Sequence, residues 1–98
     1  IIRVAVEYKF TADTAVKAGI AVVAASGNNG YTDGLSVPAA LASVISVGAV
    51  YDSSIPPISA CPTDIPAADR VTCYSNTASI LDVLAPSDNA HTTDISGA

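Results

Sequence analysis

The sequence predicts an α/β fold built on a parallel, doubly wound sheet. Three observations point there. The chain contains short, largely apolar runs at residues 20–25, 44–50 and 80–85, the first with no polar residue in it. Such runs fit parallel strands covered on both faces, whereas a strand with one wet face alternates. The first run is preceded by Gly19, which can end a helix, and is cut off by Ser26-Gly27-Asn28-Asn29-Gly30. In an open α/β sheet, ligand and reaction groups gather just beyond the carboxyl ends of the strands, and Asn28 stands at that end. Its neighbour Gly27 has no side chain to block a ligand approaching the backbone.

Residues 1–18 carry two patterns. Ile2, Val4, Val6, Tyr8 and Phe10 alternate with Arg3, Ala5, Glu7 and Lys9, which reads as a strand. Tyr8, Ala12, Ala15, Val16 and Gly19 fall at helical spacing, and Ala12, Ala15 and Ala18 favour helix. Residues 20–26 form the first strand. Residues 27–36 form a polar loop with Gly27, Gly30 and Gly34 among Asn28, Asn29, Thr32 and Asp33. Residues 39–43, after Pro38, fit a short helical turn. Residues 44–50 form the second strand, with Val44, Ile45, Val47 and Val50 as core candidates. Residues 51–72 carry Pro56, Pro57, Pro62 and Pro66. Proline removes a ladder donor, so no central strand is expected there. Residues 80–85 form the third strand, ended by Pro86, and residues 87–98 are polar without a clear period.

The two cysteines, Cys61 and Cys73, match neither a Cys-x-x-Cys redox motif nor a complete zinc site. The proline-bearing segment between them reads as a loop closed by a disulfide, the alternative being two free thiols. A bridge of that span contributes roughly 3 kcal/mol in the chain-entropy model and would place the protein outside the cytosol.

Composition narrows the function classes. Of 98 residues, 50% are hydrophobic and 13% charged, which is apolar for a small domain with much surface to cover. That suits a fragment of a larger domain. The apolar runs are too short to span a bilayer, and Arg3, Glu7 and Lys9 interrupt the start in a way no signal peptide would. The net charge is −5. Beyond Lys17, Arg70 is the one base against seven aspartates. A nucleic-acid surface needs clustered Lys and Arg, so nucleic acid is excluded as a partner. Neither composition nor the apolar runs indicate a membrane partner.

The blocks Ala24-Ala25-Ser26-Gly27-Asn28, Val37-Pro38-Ala39, Ser43-Val44-Ile45-Ser46-Val47-Gly48-Ala49-Val50, Tyr74-Ser75-Asn76 and Asp82-Val83-Leu84-Ala85-Pro86 occur in that order. Together they closely resemble the middle of the catalytic domain of the subtilisin-like serine proteases (subtilases, peptidase S8), and the resemblance covers nearly the whole chain. It implies a helix at about residues 5–18 leading into the first strand. It also implies a secreted endopeptidase that cleaves polypeptide substrates through an acyl-enzyme. Acyl transfer develops negative charge on the former carbonyl oxygen, and a fixed N–H donor aimed there favours the transition state over the ground state. The resemblance carries that oxyanion-hole role to Asn28. It carries one wall of the pocket for the substrate side chain preceding the cut to Ala24, Ala25, Ser26 and Gly27, and the floor or rim of that pocket to Ser36. On the residues alone, Gly27 to Gly30 is an ordinary turn, Asn29 is a turn residue, and the alanines are small residues at a crowded strand end. Residues 51–73 read as an insertion relative to the family, with the cysteines bracketing its second half.

The family's catalytic aspartate, histidine and Gly-Thr-Ser nucleophile motifs are not found in these 98 residues. His91, the only histidine, lies near Asp88 and Asp94 in a polar segment and lacks the Gly-Thr-His context, so it reads as a surface residue. The triad and the remainder of the protease domain are therefore expected from sequence on either side, and the 98 residues alone are expected to lack peptidase activity. Asp82 matches a position that helps bind a cation in some relatives. Ile80 replaces the second carboxylate of that site, so no cofactor or metal is expected here, although structural calcium in a parent protein is compatible. A phosphate-cradling reading of residues 26–30 needs a helix directly after the glycines, which Tyr31-Thr32-Asp33-Gly34 does not supply. The rival function class is a protease-like binding domain without a triad.

Overall fold

The computed structural model describes residues 2–87. It contains one helix, α1 (Ile2–Lys17), and three strands, β1 (Val23–Ala25), β2 (Ile45–Val50) and β3 (Val83–Pro86). The strands form one parallel sheet in the order β1-β2-β3. Val23 pairs with Ile45 and Ala25 with Val47, while Val47 pairs with Val83 and Val50 with Pro86. The α/β class and the parallel direction therefore match the sequence reading. The described residues supply one helix, and so do not by themselves make up both layers of a doubly wound domain.

α1 begins about three residues before the expected helix. Its stop follows from Gly19, which adopts φ +84°. Gly19 N–H donates to Val16 O at 3.0 Å and Ile20 N–H to Ala15 O at 3.0 Å. These paired bonds form a Schellman cap, which satisfies carbonyls that the last turn would otherwise leave open. On the helix, Ala12 is buried and Ala15 half-buried, and both line a cleft with Tyr8, Thr11, Val22 and Pro38. Val6, Tyr8, Phe10 and Val16 are exposed.

The strands correct one expectation. They form where the apolar runs lie, but they are shorter and are not covered on both faces by the described residues. Val23 is 59% exposed and Ile45 42%, and Val83 and Leu84 are also exposed. No second layer from the described residues lies over them. Of the four core candidates on the second run, Val44 and Val50 are buried, Val47 is half-buried and Ile45 is not. Residues 39–43 make turns rather than a helix.

Residues 51–73 form a loop free of regular strand, touching the sheet by a single antiparallel bridge between Val50 and Val71. Cys61 and Cys73 are joined in a disulfide, with Cα atoms 5.8 Å apart. The loop packs on Tyr51, which is fully buried. The Tyr51 hydroxyl donates to Asp64 Oδ2 at 2.8 Å, and Arg70 pairs with Asp64 Oδ1 at 2.8 Å. Burial, with the Asp64 carboxylate beside it, pushes the Tyr51 phenol up from its ordinary pKa.

Candidate functional site

The candidate site sits at the carboxyl end of β1. Ser26 prolongs the pairing by one residue, its N–H donating to Val47 O at 2.8 Å. The chain then breaks away at Gly27, where φ is +111°. A Cβ at Gly27 would collide with Ser36 Oγ and Asn76 Nδ2, so both the backbone angle and the space demand glycine here. The loop returns with Ser36 N–H donating to Ser26 O at 2.9 Å.

A second segment, residues 74–77, runs along this loop. Gly30 N–H donates to Tyr74 O at 2.9 Å, Asn76 N–H to Gly27 O at 2.9 Å, Thr77 N–H to Tyr31 O at 2.7 Å and Gly34 N–H to Thr77 O at 3.2 Å. The side chain of Asn76, 0% exposed, occupies the centre. Its Oδ1 accepts the N–H groups of Asn29 at 2.9 Å and Tyr31 at 3.1 Å. Its Nδ2 lies 3.2 Å from each of Ser26 O, Asn29 Oδ1 and Ser36 Oγ. Two backbone donors on one side and a backbone carbonyl on the other fix which end of the amide is oxygen.

The sequence-predicted residues divide into three groups. Asn28 is exposed at the loop apex, and its amide makes no hydrogen bond to the described residues. Ser26, Gly27 and Ser36 converge on Asn76. The Ser26 hydroxyl is turned inward, 3.3 Å from Ser75 Oγ, and Ser75 Oγ also accepts the Ala49 N–H at 2.9 Å. Ala24 and Ala25 instead line an open, apolar cleft of about 310 Å³ on the sheet with Val47, Ala49 and Ala85. His91, Asp88 and Asp94 lie outside the described residues. Asn76 was not among the expected site residues; its signal in the sequence was its place in the block Tyr74-Ser75-Asn76, one of those that carry the family resemblance.

Two groups of possible cation ligands have their donors at least partly engaged by the protein. Asp82 Oδ2 already accepts the N–H and hydroxyl of Ser46 at 2.8 and 2.9 Å, and the neighbouring cleft lining is Ala39, Leu41, Val44 and Ile80. These bonds, the backbone one foremost, hold the Asp82 carboxyl below the usual carboxylate range. Asp64 lies close to Cys61 and Cys73, but both sulfurs are committed to the disulfide and offer no thiolate. The glycine loop leads into bends and turns rather than a helix N-terminus, so it lacks the dipole and stacked N–H groups of a phosphate cradle.

The arrangement presents the Asn28 amide, without a bond to the described residues, beside a strand end and on a loop braced from behind. Comparison with known proteins agrees with the sequence resemblance: the model of the subtilase family, peptidase S8, matches residues 3–98. No curated protein and no solved structure matches the chain.

Proposed function

Because this chain belongs to the subtilase family, we propose that it is the central part of the catalytic domain of a secreted serine endopeptidase, in which Asn28 donates a hydrogen bond to the oxyanion. The parent enzyme cleaves polypeptides through an acyl-enzyme. Its nucleophile, general base and orienting carboxylate come from sequence flanking these 98 residues, and the subtilisin-like doubly wound sheet is completed by that sequence. Ala24, Ala25, Ser26, Gly27 and Ser36 contribute to the pocket for the substrate residue before the cut. With the Ser26 hydroxyl turned inward, Ser26 and Gly27 contribute backbone rather than side chain.

The observation that carries this reading is the exposed Asn28 amide, without a hydrogen bond to the described residues, at the end of a parallel strand. A donor already committed to the protein could not move to a developing charge without cost, and one that is held but unengaged can. The disulfide supports an extracellular location. Among the described residues, no helix is long and apolar enough to cross a membrane.

The test is Asn28→Ala in the full-length protein. The expected result is a fall in kcat of about 10²–10³ with KM little changed. That magnitude is known from an enzyme of this family rather than calculated from this structure. Unchanged kcat would remove Asn28 from the oxyanion hole. A parent lacking the Gly-Thr-Ser serine would instead be a protease-like binding domain.

A further inference from the structure

We infer that Asn76 is the positioning residue for Asn28, acting through the backbone on both sides of it. The inference rests on the reading of Asn28 as the oxyanion donor. Asn28 makes no bond to the described residues, so its direction is set by its neighbours. Backbone bonds brace the loop at its margins, from Ser26 to Val47 and from Gly30 to Tyr74, and Asn76 holds the residues immediately on either side of Asn28. Before Asn28, Gly27 O accepts the Asn76 N–H and Ser26 O accepts Nδ2. After it, the N–H groups of Asn29 and Tyr31 both converge on Asn76 Oδ1. Asn29 Oδ1 also accepts from Nδ2 at 3.2 Å.

Only a primary amide of this length offers an acceptor to two N–H groups and donors to a carbonyl one bond angle away. A carboxylate would set a negative oxygen against Ser26 O, and an apolar residue would leave the part-buried Asn29 and Tyr31 donors without their acceptor. Gly27 is the complementary half of the device, since a Cβ there would collide with both Ser36 Oγ and Asn76 Nδ2. A catalytic donor acts only if it is held to a fraction of an ångström, and a displacement of about 1 Å can cost about 10²-fold in rate.

The test is a double-mutant cycle in the full-length protein, with each variant's active fraction counted by a serine-directed inhibitor. Asn76→Ala is expected to lower kcat about 10-fold to 100-fold per active molecule, with KM within about 2-fold. In an Asn28→Ala background the same change is expected to alter kcat less than about 2-fold, because no donor remains to be positioned. Asn29→Ala is an exposed change that removes one partner of Nδ2, and it covers the case in which Asn76→Ala does not fold. It is expected to cost a few-fold in kcat and to show the same dependence on Asn28. A residue that merely supports the fold would lower kcat by one factor in both backgrounds, and that result, or a rise in KM alone, overturns the inference while leaving Asn28 in place. If Asn28→Ala itself leaves kcat unchanged, the oxyanion reading falls and the positioning role falls with it.

Discussion

Ser46 and Asp82 grip each other from both ends. Asp82 Oδ2 accepts the Ser46 N–H and hydroxyl at 2.8 and 2.9 Å, and Ser46 Oγ accepts the Asp82 N–H at 3.0 Å. The link ties β2 to the residue just before β3. Because hydrogen bonds to the ionised carboxylate depress its folded pKa, the folded state binds fewer protons than the unfolded one in this window. The contribution is therefore complete above the ordinary carboxylate pKa of about 4 and is lost as pH falls through the lower folded value. Denaturant melts of the inhibitor-blocked full-length protein should show wild type more stable than Asp82→Asn at neutral pH, with the gap closing in acid. A gap that is constant down to strongly acid pH would contradict this.

Gly27 and Gly34 should respond oppositely to alanine. At Gly27 the added Cβ meets Ser36 Oγ and Asn76 Nδ2 on a backbone with φ +111°. Strain of that kind costs about 1–3 kcal/mol, and overpacking adds to it. Gly34 has open space around the same position, so Gly34→Ala should stay within about 0.5 kcal/mol of wild type. Thermal melts of the two variants decide it. Equal effects would mean that the loop around Gly27 can relax.

How much of this was legible in the sequence depends on the type of signal. The helix stop was legible because Gly19 supplies the left-handed angle a Schellman cap needs. The strand positions were legible because short, largely apolar runs have few other uses. Burial was not, because it depends on what lies over the sheet. The apolar alternation in residues 2–10 misdirects for a related reason. The inward stripe of α1 is alanine, and Phe10, the larger apolar group, is 74% exposed. The bracing contacts of Asn76 were illegible because a buried, fully bonded amide has no periodicity. Its partners at Ser26, Asn29, Tyr31 and Ser36 are 40 or more positions away.

Exposed apolar surface on the sheet makes a prediction for the isolated 98 residues. Val23, Ile45, Val83 and Leu84 remain open, and apolar strands left uncovered favour self-association. The isolated chain should be inactive toward peptide substrates and should scatter light as oligomers. Hydrolysis of a generic peptide that a serine-directed inhibitor abolishes would refute the first expectation, and a monodisperse monomer the second.

The disulfide should matter for stability and not for the chemical step. Cys61 and Cys73 are 12 positions apart, a loop whose closure contributes about 3 kcal/mol in the chain-entropy model. Tyr51, Asp64 and Arg70 hold the same loop independently, so the folded shape does not rest on the sulfurs alone. Cys73 does reach the site loop, since its carbonyl would lie 2.8 Å from a Cβ on Gly30. The side-chain hydrogen bonds that hold the backbone of Ser26, Asn29 and Tyr31, however, run to Asn76 and not to the bridge. In the full-length protein, Cys61→Ser with Cys73→Ser should therefore lower the denaturation midpoint while leaving kcat per titrated active site within about 2-fold. A fall in kcat at full active-site occupancy would show that the bridge, rather than Asn76, holds the loop in register.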